Sequence, residues 1–216
     1  PGRLEDGVCY YTYGNRGYSS RRYEILQGTE RVSTLLNAAS YGNLRKVQDA
    51  LRNGQAINQT NTTGQTSLML ASKKGYSSIV RELLYERATI NNRDNKGNTA
   101  LMFAAMNGHS EIAQILIGEG ANINDRNDDY DSAFTLAASG GHSSLVREFL
   151  NGDEFRGILA QDLERGFRNA AFGGHVDVLD ILLNEGVSIE STDTNGRTAL
   201  MQSVSGKKSS AIRYLL

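Results

Sequence analysis

GNTALMFAAMNGHSEIAQILIGEGANIN, residues 97–124, is one copy of a pattern that returns every 33 residues. Thr99 is matched by Thr66 behind it and by Ser132 and Thr198 ahead, and Gly108 by Gly42, Gly75, Gly141 and Gly174. Set in register, the threonine position reads Ser33, Thr66, Thr99, Ser132, Arg165 and Thr198, with no insertion between any two. Two places further on stand Leu35, Leu68, Leu101, Phe134, Phe167 and Leu200, and five places on the small residues Ala38, Ala71, Ala104, Ala137, Ala170 and Ser203. Within the quoted copy, Leu101, Ala104 and Ala105 share one helical face. After Gly108 and His109, Ile112, Ile115 and Leu116 mark a second. Thr99 suits the N-cap of the first helix and Gly108 the left-handed residue that ends it. Helices of about eight residues are marginal alone, so each copy must bury its faces against its neighbours. A fixed period of this length therefore means a stacked array, and the links DNKG (94–97) and DTNG (193–196) supply its turns.

Composition agrees with such a thin structure. The 216 residues are 39% hydrophobic and include no tryptophan. The 23 basic and 24 acidic residues leave a net charge of −1, which gives no general field for nucleic acid or an anionic membrane. No run approaches the roughly 18 apolar residues of a membrane span. Cys9 is the only cysteine, so no internal disulfide can form, and a reducing, cytoplasmic setting is expected. The chain begins at Pro1 rather than a methionine and closes on the apolar pair Leu215-Leu216 midway through an expected helix, so further sequence is expected beyond it.

The order G-x-T-x-L-x-x-A-x-x-x-G-H, then I/V-x-x-L-L, then G-A-x-I-N resembles the ankyrin repeat. The resemblance covers about residues 31–216 as six repeats, the last truncated. It implies an all-α solenoid in which each repeat is a β-turn followed by two antiparallel helices, stacked into a curved array. One departure is systematic: where the family places proline after the threonine, this chain has Thr34, Ser67, Ala100, Ala133, Gly166 and Ala199. The resemblance also marks Asn91 and Asn124, each eight residues after a leucine, as candidates for asparaginyl hydroxylation. Residues 1–30 leave the register and hold five of the ten tyrosines, Tyr10, Tyr11, Tyr13, Tyr18 and Tyr23. They read as an aromatic cap on the first repeat or as the tail of a preceding domain.

Residues that invite a catalytic or metal reading dissolve into the period. His109, His142 and His175 are equally spaced, but adjacent repeats lie roughly 10 Å apart. Imidazoles sharing a zinc must approach within about 4 Å, so these are expected to bond local backbone instead. Asp125-Arg-Asn127-Asp-Asp129 imitates the start of a calcium loop, yet Tyr130 stands where glycine is required and Leu136 where the closing Glu belongs. Asn58-Gln-Thr60 and Asn61-Thr-Thr63 match the glycosylation acceptor pattern, which arises often by chance. Cys9 has no histidine near it in sequence, and Lys73-Lys74 and Lys207-Lys208 are isolated pairs. No nucleophile elbow or phosphate loop appears. The expectation is a protein that is not an enzyme and holds no cofactor, metal or small-molecule substrate.

What remains is surface. In the family, variable positions beside the turn and along the first helix face the target on the concave side. By register these are Tyr41, Gln65, Lys73, Lys74, Lys96, Asn98, Met106, Asn107, Asp128, Asp129, Asp131, Phe172 and Arg197. Between repeats 4 and 5 the length is kept while the turn chemistry is lost. Asp128-Asp129-Tyr130-Asp131 replaces D-x-x-G, Asp153-Glu154-Phe155 replaces Gly-Ala-Asn, and Gln161-Asp162-Leu163-Glu164 replaces the next turn. Acidic residues beside Tyr130, Phe155 and Phe172 suit a basic, partly apolar segment of another protein. The expected function is a scaffold or adaptor that binds a protein through the concave face. The rival is the substrate-recruiting array of a larger enzyme, or of an effector delivered by bacteria, with its catalytic domain elsewhere.

Overall fold

The computed structural model describes residues 3–5, 8–10, 34–151 and 158–216, in two compact units, Pro1–Arg31 and Val32–Leu216. In the first, strand β1 (Arg3–Glu5) pairs antiparallel with β2 (Val8–Tyr10), Leu4 opposite Cys9. Tyr11, Tyr13, Tyr18, Tyr23 and Ser33 lie outside the described residues.

Among its described residues the second unit is all-α, six helix pairs at the expected period. They are α1 (Thr34–Ser40) with α2 (Leu44–Arg52), α3 (Ser67–Lys74) with α4 (Ser77–Tyr85), and α5 (Ala100–Met106) with α6 (Ser110–Gly118). Then come α7 (Ala133–Ser139) with α8 (Ser143–Asn151), α9 (Ala160–Gly173) with α10 (Val176–Asn184), and α11 (Ala199–Ser205) with α12 (Ser209–Leu215). The first helices pack in one row, α1 to α3 and so on through α11, because the small residues at their centres let backbones approach. Ala71, Ala104, Ala137 and Ala170 are all fully buried, with Leu68, Leu101, Phe134 and Phe167 beside them. The second helices form a row behind, in which Ile112, Leu116, Leu145, Phe149, Val178 and Leu182 close the core. Phe134 and Phe149 meet edge to face, centroids 6.0 Å apart, and bind α7 to α8.

Among the described residues, repeats 2, 3, 4 and 6 enter their first helices through a hairpin organised by one side chain. Asp94 Oδ1 accepts the N–H groups of Lys96 (2.9 Å) and Asn98 (2.8 Å), while the Asp94 N–H donates to the Asn98 carbonyl (2.9 Å). Gly97 completes the turn at φ +75°, backbone that glycine alone adopts without strain. Asn61 with Gly64, and Asp193 with Gly196, repeat the device. The helix then starts on a hydroxyl: Thr66, Thr99, Ser132 and Thr198 each accept the N–H three residues on.

Repeats 4 and 5 correct the expectation that both turns are lost. In repeat 4 the turn survives. Asn127 Oδ1 accepts from Asp129 (3.0 Å) and Asp131 (2.8 Å), and Tyr130 takes the glycine's place at φ +61°. In repeat 5 the turn is gone. The organising residue is Ala160, the glycine position is Leu163 and the capping position is Arg165, none of which can build a hairpin. Ala160-Gln-Asp-Leu-Glu-Arg is instead a run of good helix formers with one acidic residue, Asp162, suited to a first turn, and α9 begins at Ala160 and runs for 14 residues. The family's proline at position 166 would have broken this helix; Gly166 lets it through.

Candidate functional site

Hairpin tips are tied from repeat to repeat by backbone bonds. Asn95 N–H donates to the Thr63 carbonyl and Asp128 N–H to the Lys96 carbonyl, both at 3.0 Å. The next acceptor in this series is the carbonyl of Asp129, whose partner would come from the hairpin that repeat 5 lacks. Arg165 supplies the donor instead, with Nη2 2.6 Å from that oxygen and Nε 2.7 Å from Asp131 Oδ1. Beneath it, Arg126 Nη2 meets Asp162 Oδ1 at 2.7 Å, and Asp162 is 1% exposed. A guanidinium and a buried carboxylate thus take over the junction that a hairpin makes elsewhere. Arg168, which stands where repeats 2, 3 and 6 have methionine, is pushed down from the usual arginine range by burial. Glu164 and Asp193 favour its charge in turn.

The same geometry sorts the candidate binding residues onto two edges of the first-helix row. Lys96, Asp128, Asp129, Tyr130, Asp131 and Arg197 lie on the hairpin edge. Tyr41, Lys73, Lys74, Met106 and Phe172 lie at the opposite end of the first helices. Arg165 and Phe172 are seven residues apart on α9, about 10 Å along its axis, so Tyr130 and Phe172 do not form one patch. Phe155 lies outside the described residues. Tyr130 is 71% exposed, Phe172 51% and Met106 38%, and Tyr41, Lys74, Lys96, Asp128 and Asp129 are exposed as well. Three residues are held by the array itself. Asp131 is paired with Arg165, Arg197 with Asp193 at 2.8 Å, and the Lys73 ammonium sits 5.5 Å over the Phe103 ring. Asn98, a surface position by register, is buried. It donates to Asp94 Oδ2 and accepts from Asn127 Nδ2 at 2.9 Å, which links two hairpins.

The histidines bond backbone, but in the preceding repeat rather than locally. Nε2 of His109, His142 and His175 lies 3.3, 2.9 and 2.9 Å from the carbonyls of Lys73, Met106 and Ser139. A carbonyl only accepts, so each ring carries its proton on Nε2. Each ring also lies on the previous repeat's helix-ending glycine; a Cβ at Gly75 would come within 2.8 Å of the His109 ring. Asparagines stitch the other end. Asn58 accepts the Thr89 N–H and donates to the Thr89 hydroxyl, both at 2.9 Å, and Asn91 accepts the Asn122 N–H at 3.2 Å. In the last hairpin, the N–H of Arg197 holds the Asp193 carboxyl below the usual carboxylate range, helped by the N–H of Asn195 and the Arg197 guanidinium.

Register alone missed Arg126, Asp162 and Arg165 as partners. The available signal was a basic residue at a capping position together with two acidic ones in a helix-forming run. Among the described residues no three His, Cys, Asp or Glu side chains gather as a metal site would require, and no helix is long and apolar enough to cross a membrane. The arrangement is a continuous buried core with unpaired side chains displayed along two edges. No curated protein matches the chain. A family model of ankyrin repeats in three copies matches residues 35–127 and again 134–216, and the chain belongs to the ankyrin-repeat family.

Proposed function

We propose that the chain is a protein-interaction scaffold or adaptor of the cell interior, which holds a partner protein across the face bearing its first helices and hairpins. Ankyrin repeats are generally protein–protein interaction modules. One observation carries the reading for this chain: Met106, Phe172 and Tyr130 are large side chains exposed along the two edges of the first-helix row, in an array whose core is already closed without them. Exposed aromatics of this kind, set among charges, are the usual anchors of a protein interface. Tyr41, Lys73, Lys74, Lys96, Asp128, Asp129, Asp131 and Arg197 frame them; Phe155 belongs to the same reading.

The test is affinity capture from cell extract on the intact chain, read by mass spectrometry against Phe172→Ala and the double variant Asp128→Lys, Asp129→Lys. Both variants are expected to lose the captured partner while keeping their melting temperature. Unchanged capture by both, with loss only on changing Lys74 or Met106, places the site in the early repeats. Unchanged capture by all of these removes the proposal.

A further inference from the structure

The edge where first helices end and second helices begin differs in charge from the rest of the array. Its six loops, residues 40–43, 73–76, 106–109, 139–142, 172–175 and 205–208, contain no aspartate or glutamate. They contain four lysines, Lys73 and Lys74 in repeat 2 and Lys207 and Lys208 in repeat 6. No carboxylate among the described residues pairs with any of them, and Lys208 lays its stem on Gly174 as the histidines lie on theirs. Glu111, the nearest acidic residue in α6, is engaged by Ser77 Oγ at 2.7 Å and by Arg81 Nη2 at 3.3 Å. On the hairpin edge, by contrast, Asp131, Asp162 and Asp193 are each paired with an arginine.

Between the two lysine pairs the loops carry no lysine and rise into two apolar knobs, Met106 in repeat 3 and Phe172 in repeat 5. The floor around Phe172 is bare. Where repeats 1 to 3 carry Tyr41, Lys74 and Asn107, repeats 4 to 6 carry Gly140, Gly173 and Gly206. A Cβ at Gly140 would reach 2.6 Å from the His142 ring and 3.2 Å from the Met106 carbonyl. A shallow open depression lined by Gly108, Gly141, His142 and Ser143 continues this floor between repeats 3 and 4.

We infer that this loop edge binds an extended peptide segment of a partner protein, acidic at both ends and apolar between. The inference rests on the protein-binding reading above and names the partner's chemistry. Repeats stack roughly 10 Å apart, so Lys74 and Lys207 are about 40 Å apart, the reach of about twelve extended residues. Met106 and Phe172 lie two steps apart, about 20 Å, which sets apolar side chains about six residues apart on the segment. A polyanion with evenly spaced phosphates fits poorly, since repeats 3 to 5 offer it no cation on this edge. The glycine floor admits a backbone lying close beside Phe172, and the end charges choose its sign.

The probe is a phage-displayed library of random dodecapeptides panned on the intact chain, followed by fluorescence anisotropy of the selected peptides. The expected peptides carry Asp or Glu at both ends and two apolar residues between. Their affinity falls about tenfold in Phe172→Ala, about tenfold in the double variant Lys74→Glu, Lys207→Glu, and not at all in Asp128→Lys, Asp129→Lys. Basic peptides lost only in the aspartate variant overturn this inference and leave the protein-binding reading standing. Failure to enrich any peptide, or peptides held equally by all variants, overturns it as well. Selected peptides that compete with the captured cellular partner join the two readings; peptides that bind as expected without competing confine the edge to a second partner.

Discussion

Repeats 3 and 4 on one side and repeat 5 on the other solve one problem in two ways. In the former, a short side chain organises a hairpin, and the hairpin's own backbone bonds the hairpin before it. Asp94 and Asn127 do this within hydrogen-bond distance of residues adjacent in sequence, and glycine or Tyr130 turns the corner. In repeat 5 the chain continues as helix, and the joint passes to Arg126 with Asp162 and to Arg165 with Asp131 and the Asp129 carbonyl. A hairpin joint is made of backbone-to-backbone bonds between neighbouring tips and tolerates changes of side chain at its exposed tip. An ionic joint through a 1% exposed carboxylate depends on each partner, since loss of one leaves a buried charge without its counterion.

That difference predicts its largest effect at Arg126. Arg126→Met is expected to lower stability by about 3–5 kcal/mol in urea unfolding, because Asp162 stays buried and unpaired. Adding Asp162→Leu is expected to restore much of the loss. If the double variant is no more stable than the single, the pair is not the joint described here. Arg165→Thr, which puts back the usual capping residue, is expected to cost about 1–3 kcal/mol because the Asp129 carbonyl loses its side-chain donor and Asp131 its guanidinium partner. With Ala160 and Leu163 unchanged, α9 should still begin early, and slow amide exchange at residues 163–165 would show it.

A smaller, opposite pair of effects sharpens the comparison at the turns. Tyr130 holds a left-handed backbone that disfavours side chains by about 1–2 kcal/mol, so Tyr130→Gly is expected to stabilise the array by about 0.5–1 kcal/mol. Gly97→Ala, the reverse change one repeat earlier, is expected to destabilise by at least about 1 kcal/mol, since its Cβ would also lie 2.8 Å from Asp128 Oδ1. A Tyr130→Gly protein that melts higher but captures less partner would show that the strain is kept for binding. Equal melting of both variants with the parent would remove the argument from backbone strain.

The smallest effect is a pH dependence in the last hairpin. The folded Asp193 carboxyl is held below its ordinary range by the N–H of Arg197, so near pH 4 the folded chain binds fewer protons there than the unfolded chain. That contribution is present above about pH 4 and fades as pH falls through the depressed folded value. Asp193→Asn keeps the side-chain acceptor that Asn61 and Asn127 use, so it is expected to leave the turn intact and flatten the acid limb of thermal stability. An acid limb identical to the parent's would assign the dependence to other carboxylates.

The two edges of the first-helix row also explain why one half of the candidate site was legible and the other was not. Position in the period identified Met106, Phe172, Lys74 and Asp128 as surface, because a helix face and a turn tip are exposed in any copy. It misplaced Asn98, whose register matches an exposed position elsewhere and whose amide here closes a bond to Asn127 across 29 residues. It also joined Tyr130 to Phe172, which sequence brings near and about 10 Å of helix α9 sets apart.

By itself the sequence determined the number of repeats, the helix pairs, the hydroxyl caps and the glycine corners. All of these follow from interactions within a few residues, and their periodicity survives substitution. Even the early start of α9 was written in local terms, as the joint loss of an organising side chain at Ala160, a glycine at Leu163 and a cap at Arg165. Only the tertiary structure decided where the freed charges go. Arg126 finds Asp162 and Arg165 finds Asp131 across 34 to 36 residues because stacking sets the repeats side by side. Which arginine meets which carboxylate depends on the side-chain space left between two packed helices, and no short-range pattern in the chain encodes that space.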